Sequence, residues 1–165
     1  MSHAERAVPP IQRWLALAFW LAVVTAVAWI GSWITLPKIA TWYAGLLKPW
    51  FTPPNAAFGP VWAALYVMMA IAVWRIREAV AAERRRSATI LFVVQLAANA
   101  LWSPAFFGFE SPVAGLVIIV VLLVTLLATL RSFWLLDRAA GLLLIPYVAW
   151  VSYATALNAA IVVLN

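Results

Sequence analysis

Apolar residues run almost without interruption through Trp14 to Ile34, Phe58 to Ile76, Ala88 to Phe109, Val113 to Leu130 and Leu142 to Leu164. A bilayer core about 30 Å thick takes roughly 20 helical residues at ~1.5 Å rise each. Every run meets or approaches that length, so the pattern predicts five membrane-spanning helices near 12–35, 58–77, 88–109, 112–132 and 139–164. The last four are joined by short connections: Arg77 to Ser87, Glu110-Ser111 before Pro112, and Ser132 to Gly141. Short connections make sequential helices antiparallel. The expected fold class is therefore an all-α integral membrane protein, a five-transmembrane-helix bundle forming one domain over 1–165. The first run is too long for a signal-peptide core and no small-residue cleavage site follows it, so it reads as a retained helix. No two halves match in the way of inverted-repeat transporters.

One connection breaks the economy of the rest. Thr35 to Ala57 is over twenty residues long and contains Leu47-Lys48-Pro49-Trp50-Phe51-Thr52-Pro53-Pro54. Long ordered loops in compact chains are usually lids or binding elements. Pro37 is suited to open a short helix that puts Ile39, Trp42, Tyr43, Leu46 and Leu47 on one side. Pro49, Pro53, Pro54 and Pro60 then stiffen the return, which lowers the entropy lost on ordering. The expectation is a partly helical lid over one mouth of the bundle. The alternative is an interfacial belt, since Trp42, Tyr43, Trp50 and Phe51 would sit near lipid headgroups in either case.

Polar side chains inside hydrocarbon must be paired or face a cavity. Gln95 and Asn99 share one face of the third span, which continues to Trp102 and Phe106. Phe58, Trp62, Tyr66 and Met69 form a stripe on the second, and Tyr147, Trp150, Ala154 and Asn158 on the fifth. Three aromatic stripes, each with hydrogen-bonding groups, suit a large, flat, mostly apolar ligand. The competing reading is hydrogen bonding and packing between helices, which would by itself keep Gln95 and Asn99 buried. Pro104 and Pro146 each remove a backbone hydrogen bond inside a span and predict kinks. The small pairs Ala22/Ala26 and Ala156/Ala160 permit close helix contact and, with it, a homodimer.

Composition sharpens the picture. The chain is 67% hydrophobic and 10% charged, more apolar surface than a water-soluble domain of this size can hide. It has no Cys, and its single His, His3, stands in the amino-terminal tail, so soft-metal and haem-ligating sets lack their residues. No cofactor and no metal are expected. The net charge of +6 comes from basic residues at the span ends, which fits membrane topology better than nucleic-acid binding. With five crossings, Arg6, Arg13, Arg75, Arg77, Arg84, Arg85, Arg86, Arg131 and Arg138 fall on the amino-terminal side and only Lys38 and Lys48 on the other. In a bacterial inner membrane that asymmetry places the amino terminus in the cytoplasm and the long loop and carboxyl terminus outside.

The motifs together resemble the TspO family, also called tryptophan-rich sensory protein, translocator protein or peripheral benzodiazepine receptor. The resemblance rests on Trp42-Tyr43 through Pro53-Pro54, Phe58-Gly59-Pro60-Val61-Trp62 with Leu65-Tyr66, Gln95-Leu96 with Asn99, Trp102 and Phe106-Phe107-Gly108, and Leu144-Ile145-Pro146-Tyr147-Val148-Ala149-Trp150 running to Leu157-Asn158. It implies a membrane protein that binds porphyrins such as protoporphyrin IX, and in relatives cholesterol and benzodiazepine-site ligands, in a pocket capped by the first loop. Family pocket positions fall on Trp62, Asn99, Phe106, Trp150 and Ala154, and porphyrin breakdown proposed for bacterial members implicates Trp62 and Trp150. The sterol motif of animal members needs a Tyr and then Lys or Arg after the Leu-Asn pair, and Ala159 to Asn165 offers neither.

The sequence thus carries three functional readings: binding or sensing of tetrapyrroles and similar flat hydrophobic molecules, their transport, and Trp-mediated photo-oxidative degradation. The candidate ligand-binding residues are Trp42, Trp50, Phe58, Trp62, Tyr66, Gln95, Asn99, Trp102, Phe106, Tyr147, Trp150, Ala154 and Asn158, with Lys38 and Lys48 offering positive charge at the mouth. Expected partners are the hydrophobic ligand, membrane lipid and a second copy of the chain, with no nucleic acid. Ordinary hydrolytic catalysis lacks a nucleophile–base pair and a metal set.

Overall fold

The computed structural model describes residues 10–165, so His3 and Arg6 lie outside the described residues. The elements are α1 (Pro10–Ile39), α2 (Trp42–Gly45), α3 (Asn55–Ala79), α4 (Ala82–Ser103), a π-helical turn (Pro104–Gly108), α5 (Pro112–Leu136) and α6 (Arg138–Leu164). Five helical stretches are long and apolar enough to span a bilayer: Ile11–Ile39, Asn55–Ala79, Ala82–Gly108, Pro112–Leu136 and Arg138–Leu164. They pack as a ring in the order α1, α3, α6, α5, α4. Many large apolar side chains point outward, including Trp29 at 70% exposure and Trp33 at 71%. Exposed apolar surface on that scale would be unfavourable in water and is neutral against lipid tails. The chain is a multi-pass integral membrane protein.

The helices run further than their apolar cores. Α hydrophobicity pattern sees only the segment that touches hydrocarbon, whereas backbone hydrogen bonding carries a helix into the polar zone. Hence α4 starts at Ala82 and takes in Arg84, Arg85 and Arg86, and the expected connection Arg77 to Ser87 shrinks to 80–81. Likewise 132–141 reduces to Asp137 alone. Asp137 makes so tight a junction possible by capping α6: its Oδ1 accepts from Ala139 N at 2.8 Å and Ala140 N at 3.4 Å. Arg75 in turn pairs with the same carboxylate at 2.9 Å, fastening α3 to the α5–α6 corner. At the opposite end, Glu110 takes a left-handed φ of 52°, Ser111 Oγ accepts from Ala114 N at 3.2 Å, and Pro112 opens α5.

Pro37 departs from expectation. Pro37 does not open a new helix; it lies inside α1, which continues to Ile39, and the short helix is only Trp42–Gly45. Thr41 Oγ1 donates to the Pro37 carbonyl at 3.0 Å, satisfying an end-of-helix acceptor and closing α1. Pro146 leaves α6 unbroken. Pro104 opens a π turn in which Phe109 N donates to Pro104 O at 2.9 Å and Ser111 N to Phe106 O at 3.1 Å. The extra residue per turn lets consecutive Phe106 and Phe107 both face inward, at 2% and 6% exposure.

Candidate functional site

An interior cavity of about 390 Å³ opens within the half of the bundle nearest the α1–α3 loop. Phe58, Trp62 and Tyr66 line it from α3, Asn99 and Trp102 from α4, Phe106 from the π turn, and Trp150, Ala154 and Asn158 from α6. Nine of the expected residues are therefore brought to one wall system, as their helical spacing required. The volume lies in the range of small-molecule sites, about 300–1,000 Å³. Among the described residues, no charged side chain lines it.

Hydrogen bonds organise the polar groups in two tiers. In the deeper one, Tyr66 Oη donates to Asn99 Oδ1 at 2.7 Å and Asn99 Nδ2 donates to Tyr147 Oη at 2.8 Å, so Asn99 joins α3 to α6 through α4. In the other, Trp102 Nε1 donates to Asn158 Oδ1 at 3.3 Å, while Asn158 Nδ2 donates to the Pro112 carbonyl at 2.8 Å. Both asparagines thus hold helices together as well as lining the cavity. The two readings of Asn99, interhelical bond and pocket wall, describe the same side chain. Trp150 differs: its indole nitrogen is buried and, among the described residues, has no acceptor. Its ring lies edge-on to Phe58 at 5.6 Å, and Trp62 stands 5.5 Å from Tyr66 and 6.1 Å from Tyr147.

Six expected residues do not reach the cavity. Tyr147 is fully buried behind Asn99. Gln95 is also fully buried but one turn too deep; its Nε2 lies 4.0 Å from Met69 Sδ and its Oε1 has no partner. Trp42 packs on the outside of the wall, edge-on to Phe106 at 5.4 Å and Phe107 at 6.2 Å. Trp50 is 95% exposed at the loop tip. Nor do the two lysines offer charge to the cavity. Lys38 pairs with Glu110 at 2.6 Å, and Lys48 turns back onto the Leu46 carbonyl at 3.0 Å and the Tyr43 ring at 4.5 Å.

Tyr43, by contrast, is a lining residue from the loop, and its burial pushes the phenol pKa up, so it stays neutral. The loop crosses the mouth and is tied down on the α6 side. Asn165 Nδ2 donates to Leu47 O at 3.0 Å while Leu47 N donates to Asn165 Oδ1 at 2.9 Å, and Tyr153 Oη donates to the Phe51 carbonyl. Within this loop Tyr43 covers the cavity while Trp50 projects away from it. Sequence reasoning missed the α1 wall, made of Ala28, Gly31, Ser32, Thr35, Leu36 and Ile39. The available signal was the small and polar set Gly31, Ser32 and Thr35 inside an otherwise bulky apolar span.

Comparison with known proteins agrees with this architecture. The TspO/MBR family model matches residues 19–164. The chain is 41% identical to the "Tryptophan-rich protein TspO" of Archaeoglobus fulgidus over 92% of its own length and 97% of the relative's. It is 36% identical to the "Tryptophan-rich sensory protein" of Cereibacter sphaeroides, covering 88% of each chain, and 32% identical to the human "Translocator protein", covering 78% of each. On the strength of these matches, and of a five-span bundle around one aromatic cavity, the chain belongs to the TspO/MBR family.

Proposed function

We propose that the protein is a membrane receptor that binds tetrapyrroles such as protoporphyrin IX, and similar flat hydrophobic molecules, in the cavity between α3, α4 and α6. The observation that carries this reading is the composition of the walls. Trp62, Trp102, Phe106 and Trp150 present aromatic rings from separate elements, and the polar groups beside them are uncharged. Such a lining favours a planar aromatic body through stacking and apolar contact, with few hydrogen bonds to fix its orientation. The names of the relatives, sensory and translocator proteins, are compatible with a receptor or transporter role. Propionate groups would have to stay at the mouth or in the headgroup zone, since among the described residues no cation lines the cavity.

Titration of the reconstituted protein with protoporphyrin IX tests the reading. Saturable quenching of tryptophan fluorescence, weakened in Trp62→Phe and in Trp150→Phe, is the expected result. Identical curves in wild type and both variants would remove these residues from the binding site.

A second reading, passive transport, draws support from the absence of charge in the cavity, which offers a hydrophobic ligand no trap. Uptake of protoporphyrin IX into vesicles containing only this protein separates it from binding alone. Two further features belong to the proposal. The arginine-bearing end, where Arg13 meets Glu78 and Arg75 meets Asp137, faces the cytoplasm if the membrane is a bacterial inner membrane. Homodimerisation uses the small-residue faces, of which Ala22, Ala26 and Ala156 are exposed.

A further inference from the structure

We infer that the cavity exchanges its ligand sideways with the bilayer, through a seam between the outer halves of α1 and α3, and not through the loop that covers its mouth. The proposal concerns the route to the site, and it builds on the cavity reading above without depending on which ligand is bound.

Three observations point to the seam. First, the exposed residues of the cavity wall are Ser32 and Leu36 on α1 and Asn55, Gly59 and Ala63 on α3; every wall residue on α4, the π turn, α5 and α6 is buried or half-buried. Exposure and lining coincide on two facing helices only. Second, α1 and α3 are fastened at the other end. Arg13 pairs with Glu78 at 2.6 Å, Trp74 Nε1 donates to Arg13 O at 3.0 Å, Arg77 donates to Gln12 O at 3.1 Å, and Trp14 stacks on Trp74 at 5.9 Å. In its outer half α1 leans instead on α4 and the π turn. There Thr35 Oγ1 donates to Ser103 Oγ at 3.3 Å, Lys38 pairs with Glu110, and Ile34 lies against Gly108. The polar ties between the two helices lie at the base, and the ties of α1 near the loop run to the other side of the ring. Third, the middle of the seam is lined by the small residues Ser32, Gly59 and Ala63, and a Cβ added at Gly59 would meet nothing within 4 Å. The loop, held to α6 by Asn165 and Tyr153, shuts the opposite side.

The physical consequence follows from partition. A flat apolar molecule is concentrated in the hydrocarbon, and a side opening at membrane depth lets it reach the cavity without crossing water. Asn55, Ser32 and Thr35 at or beside the seam give polar substituents partners on the way in.

The chain has no native Cys, so Ala154→Cys places one thiol on the far wall, on α6. In vesicles it is exposed either to a bilayer-dissolved pyrene maleimide or to a membrane-impermeant sulfonated maleimide. The expected result is labelling by the pyrene reagent about tenfold or more faster than by the sulfonated one. Gly59→Leu should slow the pyrene reaction about tenfold, equivalent to ~1.4 kcal/mol of barrier, and Asn165→Ala, which frees the loop, should not change it. Ala63→Leu, on the same seam, is the second variant should Gly59→Leu elute as an aggregate. Comparable labelling by the sulfonated reagent overturns the proposal, as does acceleration in Asn165→Ala with no effect of seam bulk. So does a thiol that neither reagent reaches, whether because the cavity is sealed or because a second copy covers the seam. No porphyrin enters this experiment, so a failed porphyrin titration and a failed seam are separate outcomes.

Discussion

The Tyr66 hydroxyl donates to the Asn99 side-chain oxygen at 2.7 Å, across the gap between α3 and α4 and at the inner edge of the cavity. Asn99 passes the interaction on to Tyr147 of α6, and the bond chain sets the separation of three helices whose same faces, further toward the loop, carry Trp62, Trp102 and Trp150. The cavity is bounded below by a polar clamp, not by chance underpacking.

Breaking that clamp should lower stability more than its exposure suggests. Tyr66→Phe leaves Asn99 Oδ1 without its donor in a largely apolar setting. Polar contacts of this kind in membrane proteins average ~0.6 kcal/mol with a maximum near 1.7, and an orphaned group adds to the loss. Thermal unfolding in detergent is expected to shift downward for Tyr66→Phe and for Tyr147→Phe. The double variant should lose less than the sum, because both act through Asn99.

Trp150→Phe should behave in the opposite way. Its indole nitrogen has no acceptor among the described residues, so the substitution forfeits no hydrogen bond there and relieves a buried unpaired donor. Melting temperature is expected to hold or rise while protoporphyrin affinity falls. Binding and stability therefore separate at Trp150.

Gly115 marks where α5 packs behind two wall residues of the cavity, Phe106 and Asn158. A Cβ there would lie 2.6 Å from Phe106 Cδ2 and 3.0 Å from Asn158 Oδ1, so Gly115→Ala must displace Phe106 or the Asn158 bonds. Overpacking of this kind typically loses about 1–3 kcal/mol. Both a lower melting temperature and weaker porphyrin binding are expected, read by detergent melts and fluorescence titration.

At Trp50 little should change. The side chain is 95% exposed and touches only Phe51 among the aromatic rings, at 5.7 Å. Trp50→Ala is expected to alter stability and affinity by less than about 0.5 kcal/mol, as surface substitutions usually do. A large loss of binding would mean that the loop tip folds onto the ligand.

Much of this was legible in the chain. Length and hydropathy specified five spans, and helical spacing brought Trp62 with Tyr66 and Asn99 with Trp102 and Phe106 onto common faces. Spacing says which residues share a face but not how deep the cavity reaches along it. Hence Gln95, one turn from Asn99, was grouped with the site and lies below it, while Tyr147 stands behind Asn99 as its hydrogen-bond partner. The α1 wall was hidden for a different reason. Its distinctive residues are small, and a small residue in a span is silent about whether it makes room for a neighbouring helix, as Gly31 does against Ser103, or borders a cavity, as Ser32 does. The lysines misled because charge at a helix end predicts membrane side and not partner: Glu110 claims Lys38, and a loop carbonyl claims Lys48.

The central claim is that the ligand occupies this cavity, and Ala154→Trp tests it most directly by putting an indole into the space while leaving Trp62, Asn99 and Trp150 in place. Equilibrium titration of the reconstituted variant with protoporphyrin IX, alongside a melting curve to verify folding, is the measurement. Loss of saturable quenching in a folded Ala154→Trp protein is the predicted result; wild-type affinity in that protein would contradict the account.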